Sequence, residues 1–291
     1  MSGLTPVRPL GLALSGGALK AAAHVGVLQA LESMGIRPDC VAGTSAGSLV
    51  AALYAHGVRP EGMMDIIRQF PGPFLLDYGF PLLSSLFALW SRRIRRSRAL
   101  RLPGGLVRGR RLERYIRRLL GRREARMRYY IIATDLFTGQ PVTLTNDAAA
   151  LDLGFDPVDD AAVAIRGSCS LPGVFSPVSC GQRLLTDGGI RDYVPVRVLR
   201  QAGCRRIIAV NLHELDVDWN PDTFVHVVAR AINILLQETV AADTAGDDVI
   251  TLTPRLPSMT WWSFHQMTAC VRAGRLAVWE NRDRILRHVS G

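Results

Sequence analysis

The chain has 291 residues, 48% of them hydrophobic, so it can bury a sizeable core as one large domain or two small ones. Its five cysteines are scattered without a C-x-x-C pattern, and no pair has metal-ligand spacing with a histidine. They read as free, mostly buried thiols of a reducing compartment. From residues 1–9 no secretory signal is expected, from Ser2 no N-myristoylation and from Val289-Ser290-Gly291 no prenylation, and no stretch reaches the ~18 apolar residues of a spanning helix. The expectation is a cytoplasmic protein, in contact with a membrane only peripherally.

Leu10 to Leu14 reads as a first strand and Ser15-Gly16-Gly17-Ala18 as a glycine-rich turn. Leu19 to Met34 has helical spacing and is closed by Gly35. Asp39 to Ala42 is a second strand that runs into Gly43-Thr44-Ser45-Ala46-Gly47, followed by a small, apolar helix from Ser48 to Ala55 and another from Glu61 to Phe70. This β–α–β–α opening predicts a parallel sheet and an α/β fold.

Residues 71–108 break the rhythm. Four prolines (Pro71, Pro73, Pro81, Pro103) interrupt an apolar run, Phe80 to Trp90, which leads into Arg92-Arg93-Ile94-Arg95-Arg96-Ser97-Arg98. From Arg68 to Arg128 there are 17 arginines against Asp77, Glu113 and Glu124, so the net charge of +10 is concentrated in this one segment. Such a patch calls for an anionic partner. Apolar residues beside a basic cluster suggest an interfacial segment or a lid at about 71–128; an ordinary surface helix with solvated arginines is the other reading.

Further along, Leu112 to Leu120 is a short basic helix, Tyr129 to Thr134 and Pro141 to Thr145 are strands, and Asp159 to Gly167 is a helix before the Leu171-Pro172-Gly173 turn. Val194 to Ala202 is a helix, Arg206 to Asn211 a strand, Thr223 to Ala242 a long helix, Val249 to Thr253 a strand, and the tail from Trp262 is helical. No internal repeat or obvious linker divides the chain, which is read as a single unit over 1–291.

Three short stretches carry chemistry. Gly43-Thr44-Ser45-Ala46-Gly47 is a G-x-S-x-G between a strand and a helix, the context of a nucleophile elbow. Its glycines let the backbones approach, and the serine is presented at a helix start, where free N–H groups favour developing negative charge. A serine hydroxyl needs a base and a place for an oxyanion. Asp187, at the end of the apolar stretch Leu184-Leu185-Thr186 and before Gly188-Gly189, is a candidate base; an ordinary Asp-Gly turn is the bland alternative. The small residues of Ser15-Gly16-Gly17-Ala18-Leu19 can present several backbone N–H groups to one point, as an oxyanion hole or as a structural turn. Of six histidines, His213 is the one to test for a Ser–Asp–His order, although an ordinary loop histidine is the favoured reading, and His24 reads as a packing or supporting residue beside the glycine turn.

These stretches, in this order, resemble the patatin-like phospholipase family, in its bacterial esterase-type branch. Leu12 to Leu28 looks like the family's glycine-rich oxyanion block, Gly43 to Ser48 its nucleophile elbow, Ser168-Cys169-Ser170-Leu171-Pro172-Gly173-Val174-Phe175 the turn before its last core strand, and Asp187-Gly188-Gly189 with Val194-Pro195-Val196 its aspartate block. The resemblance implies a three-layer α/β/α fold with a mainly parallel central sheet. It also implies a Ser45–Asp187 dyad with no catalytic histidine, and an oxyanion hole from the backbone amides of Gly16, Gly17, Ala18 and Leu19. The implied reaction is hydrolysis of a lipid acyl ester through an acyl-serine, with no metal and no cofactor. Two departures stand out. Ala18 replaces a glycine where the chain turns, and Lys20, the only lysine in the sequence, replaces an arginine. The rival class is a non-catalytic basic module for anionic lipid or nucleic acid. Without aromatic interleaving, and with apolar residues beside the arginines, residues Arg92 to Arg128 suit lipid headgroups better than nucleic acid.

Overall fold

Five-residue apolar runs, each followed by a helix, form the parallel heart of the sheet. In the computed structural model of the chain, the described residues are 9–78, 105–214, 243–260 and 262–290, with scattered helical positions between 227 and 241. β1 (Leu10–Leu14) lies between β2 (Cys40–Thr44) and β10 (Arg206–Val210), and β11 (Val249–Leu252) extends the sheet beyond β10, all parallel. On the other side β2 pairs in parallel with the long β4 (Arg128–Asp135). β4 then pairs antiparallel with β5 (Pro141–Thr145), and β5 in parallel with the two-residue β6 (Asp156–Pro157).

Alternate residues of each strand point to opposite faces. Leu12, Leu14, Val41, Ile131, Ile208 and Val210 face one core. It is closed by α1 (Ala22–Ser33), α2 (Ala46–Ala55), α3 (Pro60–Arg68), α4 (Arg110–Leu120), α5 (Ala161–Ser168), α7 (Met267–Glu280) and α8 (Arg282–Ser290). Ala13, Cys40, Ala42, Tyr130, Ile132, Ile207 and Ala209 face a second core under α6 (Val196–Gln201). Helices on both faces of a mostly parallel sheet make the three-layer α/β/α arrangement. All five cysteines are free thiols.

One edge of β4 positions the site. β2 runs along that edge in parallel until Thr44 pairs with Ile132. β9 (Arg183–Asp187), itself paired with β8 (Val178–Cys180), meets the same edge from the opposite direction, and its last residue, Asp187, pairs with Ala133. The ends of β2 and β9 therefore abut at consecutive residues of one strand. A side chain on the next residue, Gly188, would put its Cβ 2.2 Å from the Ile132 carbonyl oxygen, so only glycine lets the chain turn away there.

Phe80 to Trp90 and the arginines from Arg92 to Arg101 lie outside the described residues. The rest of the arginine-rich stretch is packed. β3 (Gly105–Val107) pairs with β7 (Gly173–Phe175), and α4 (Arg110–Leu120) buries Ile116 and Leu120 in the first core while Arg110, Arg111, Arg114 and Arg118 stay exposed. The helix expected over Thr223 to Ala242 falls mostly outside the described residues. The helix expected from Leu19 opens instead as a 3₁₀ turn at Ala18–Ala21, and α1 follows from Ala22. Among the described residues no helix is long and apolar enough to cross a membrane.

Candidate active site

Ser45 sits between β2 and α2 with φ 52 and ψ −129, one of two non-glycine residues at positive φ among the described residues. That conformation costs of order 1–3 kcal/mol and persists only where its surroundings enforce it. Here the enforcement is visible. A Cβ at Gly43 would fall 2.4 Å from the Gly47 carbonyl oxygen, and one at Gly47 would fall 2.4 Å from the carbonyl oxygen of Ser15. The Ser45 N–H donates to Ser168 Oγ at 2.8 Å, and Ser168 Oγ donates in turn to the Ile132 carbonyl. The elbow is thus pinned from the end of α5.

The Ser45 hydroxyl donates to Asp187 Oδ2 at 2.7 Å, and the Gly189 N–H donates to Oδ1 at 2.8 Å. Asp187 is 6% exposed. Burial pushes its carboxyl up to about 6, against the smaller opposing pull of the Ser45 and Gly189 hydrogen bonds. Its backbone is fixed on both sides: the N–H donates to the Ser170 carbonyl at 3.0 Å, and the carbonyl accepts from Thr134 Oγ1 at 3.0 Å. Arg166, buried at 2% exposure, holds the loop that carries Ser170. Its guanidinium donates to the carbonyls of Arg108, Gly109 and Ser176 and to Ser170 Oγ.

The glycine turn lies against the serine, because a Cβ built on Gly16 would stand 3.4 Å from Ser45 Cβ. The four amides proposed there from the sequence are not equivalent. The Gly16 N–H is taken by the Tyr193 carbonyl at 3.3 Å, which removes it from the set of open donors. Gly17, Ala18 and Leu19 precede the first internal bond of the 3₁₀ turn, from Lys20 N to Gly17 O at 2.9 Å, and their N–H groups meet no protein acceptor among the described residues. His24, fully buried, donates from Nε2 to the Ser15 carbonyl at 2.9 Å. Burial lowers its pKa to about 4, so it is a neutral prop under the turn. His213 lies edge-on to the Tyr193 ring at 5.6 Å, while the two oxygens of Asp187 go to Ser45 and Gly189.

Ala18 has φ 48, so the methyl that replaces a glycine hydrogen does stand in the left-handed region. That costs about 1 kcal/mol or more, partly offset because glycine would loosen the unfolded chain. Ala18→Gly is therefore expected to gain about 0.5–1 kcal/mol, read as a higher denaturant midpoint. An unmoved or lower midpoint would show that the turn carries no strain at this residue.

Sequence reasoning singled out neither Ser168, Arg166 nor Tyr193 by role. Ser168 lies in the Ser-Cys-Ser stretch noted before the Leu-Pro-Gly turn, which was the available signal; nothing local marks the other two. No cluster of three or more His, Cys, Asp or Glu side chains able to hold a metal occurs among the described residues.

The chain is 32% identical over 209 residues to the uncharacterized protein YqhO of Bacillus subtilis, covering 68% of this chain and 69% of that protein. An uncharacterized NTE family protein of Mycobacterium bovis is 28% identical over 79% of this chain and 56% of its own length. Lysophospholipase NTE1 of Debaryomyces hansenii is 28% identical over 71% of this chain, which corresponds to 12% of that much longer protein. The chain thus spans about half the length of the mycobacterial relative and a small part of the yeast one. The sequence model described as patatin-like phospholipase matches residues 12–200, most of the chain and a span that includes Ser45 and Asp187, and the chain belongs to the patatin-like phospholipase family.

Proposed function

We propose that the chain is a serine hydrolase that cleaves lipid acyl esters, phospholipid or lysophospholipid, with Ser45 as nucleophile and Asp187 as base. The observation that carries this reading is the 2.7 Å bond from the Ser45 hydroxyl to a buried carboxylate at the end of a strained elbow. As Oγ attacks the ester carbonyl, Asp187 takes its proton, and the oxyanion is met by the free N–H groups of Gly17, Ala18 and Leu19. Collapse expels the lysolipid or glyceryl alcohol, which recovers the proton from Asp187. A water that gives its proton to Asp187 then attacks acyl-Ser45, and as the fatty acid is freed Ser45 Oγ takes that proton back from Asp187. A carboxyl held near 6 is a better base than an exposed aspartate and is still ionised at neutral pH.

The membrane side of the proposal rests on α4. Arg111, Arg114 and Arg118 share one face and, with Pro71, Phe74, Leu75 and Tyr115, line a hollow of about 250 Å³. Phe74 is 80% exposed beside them. Arg117 is paired with Glu113 and Asp160, whereas Arg111 and Arg114 donate to the carbonyls of Phe74 and Arg110, so among the described residues the charges of Arg111, Arg114 and Arg118 meet no carboxylate and are proposed to meet headgroup phosphates. The chain is expected to release fatty acid from phosphatidylglycerol vesicles and to bind them more tightly than phosphatidylcholine vesicles, less so as salt rises. Arg111→Gln/Arg114→Gln/Arg118→Gln should weaken that binding roughly 10–100-fold. Equal binding by the triple variant would remove the contact face. Absence of fatty acid from both vesicles, and of an acyl adduct on Ser45 by mass, would remove the hydrolase reading.

A further inference from the structure

Tyr193 is buried, 7% exposed, between the glycine turn and the aspartate turn. Its ring occupies the space on which side chains at both turns would impinge. A Cβ on Gly16 would meet Tyr193 Cε2 at 2.8 Å, and one on Gly189 would meet Tyr193 Cδ2 at 3.1 Å. Its hydroxyl donates to the Gly16 carbonyl at 2.9 Å, and its own carbonyl accepts the Gly16 N–H at 3.3 Å. The preceding residue is tied to the elbow, where Thr44 Oγ1 donates to the Asp192 carbonyl at 2.9 Å. One residue thus grips Gly16 by both of its backbone polar groups, from a segment anchored to the strand that carries Ser45.

The consequence follows from peptide geometry. The carbonyl of Gly16 and the N–H of Gly17 belong to one planar peptide group, and no cis bond occurs among the described residues, so the two point in opposite directions. Fixing the Gly16 oxygen on the Tyr193 hydroxyl fixes the Gly17 N–H away from the ring. The Gly17 backbone, at φ 152 and ψ 11, is held by little of its own, since glycine imposes almost no preference. Ser15 Oγ also donates to the Gly16 oxygen, at 3.0 Å, and is itself held by the Leu212 N–H at 3.0 Å.

We propose that Tyr193 is a positioning residue that locks the Gly16–Gly17 peptide so that the Gly17 N–H stands free in front of Ser45 as an oxyanion donor. The proposal rests on the acyl-hydrolase reading above. Without the phenol, Ser15 alone restrains the carbonyl, and the peptide populates the turned orientation, in which the Gly16 oxygen, not the Gly17 N–H, faces the developing negative charge. A lost donor and a gained acceptor act on the transition state far more than on the bound ester.

Tyr193→Phe keeps the ring and its packing. It is expected to lower kcat on a short-chain acyl ester about tenfold with KM changed less than twofold, with the thermal midpoint within a few degrees of wild type and the acid limb of the pH profile unmoved. Ser15→Ala/Tyr193→Phe should lose at least a further tenfold. A crystal structure of Tyr193→Phe is expected to show the Gly16–Gly17 peptide turned or in two orientations. Unchanged kcat in Tyr193→Phe, or a peptide that keeps its single wild-type orientation in the crystal, would overturn the proposal. If the wild-type chain hydrolyses no acyl ester, the hydrolase reading fails, and the crystal structure still decides whether Tyr193 sets the peptide.

Discussion

Ser45→Ala, Asp187→Asn and the double variant are each expected to lose roughly the same factor in kcat/KM on an acyl ester, about 10⁴-fold, because two groups joined by one hydrogen bond act as a unit. The wild-type profile should rise tenfold per pH unit below about 6 and level off above it, since the proposed base is the ionised carboxylate. Stability carries the opposite sign. The carboxyl sits near 6 in the folded chain and at ~3.9 in the unfolded one, so the folded state holds the proton more tightly. Its stabilising contribution is complete below about pH 4 and is lost as pH rises through 6, leaving the carboxylate form costing about 3 kcal/mol. Asparagine carries no charge and keeps both partners, with its amide donating to Ser45 and its oxygen accepting from Gly189. Asp187→Asn should therefore unfold at higher denaturant at pH 8 while being inactive, with a gain of about 1–3 kcal/mol that shrinks toward pH 4. An active Asp187→Asn variant, or one less stable than wild type at pH 8, would contradict the buried-base account.

The second large effect lies away from the chemistry, where α1 crosses α7. A Cβ on Gly26 would come within 1.9 Å of the Val271 carbonyl oxygen, and one on Gly274 within 1.9 Å of the Ala23 carbonyl oxygen. Each helix offers a glycine to the other's backbone, and neither backbone can give way as a flexible side chain would. Gly274→Ala gains about 1 kcal/mol of helix propensity and still should lose about 2–3 kcal/mol net, a fall of roughly 5–10 °C in the unfolding midpoint. Gly62→Ala in α3 is the control, since its Cβ meets only Val58 Cγ1 at 3.6 Å. That substitution should raise the midpoint slightly. If the two glycines respond alike, the crossing is looser than the structure has it. The loss at Gly274 should also reach the active site, because α1 carries the glycine turn at its N-terminal end and His24 beneath it.

What the sequence made legible was local. The elbow could be read because its constraint is steric and acts within five residues, and the strands from Leu10, Pro141 and Arg206 could be read because short apolar or alternating runs flanked by turns have few other uses. β3, β6, β7 and β8 have two or three residues each, too few for a period to register. The direction of β9 was invisible, because an antiparallel return onto β4 depends on pairing partners some 50 residues away. The crowding of Gly16 by Tyr193 was hidden for the same reason, and with it the loss of the Gly16 N–H as a donor. In the arginine-rich stretch, charge masked a core contribution: Ile116 and Leu120 are buried, yet they sit in a helix where five of eleven residues are arginine.

The abutment of β2 and β9 on β4 makes that strand a ruler. Ser45 and Asp187 are 142 residues apart in the chain, yet the ends that carry them are set by consecutive partners, Ile132 and Ala133, one peptide step of about 3.3 Å along a strand. A change in another segment that leaves residues 128–135 and the ends of β2 and β9 in place leaves that spacing unaltered. The two residues stay in register for as long as that one strand does.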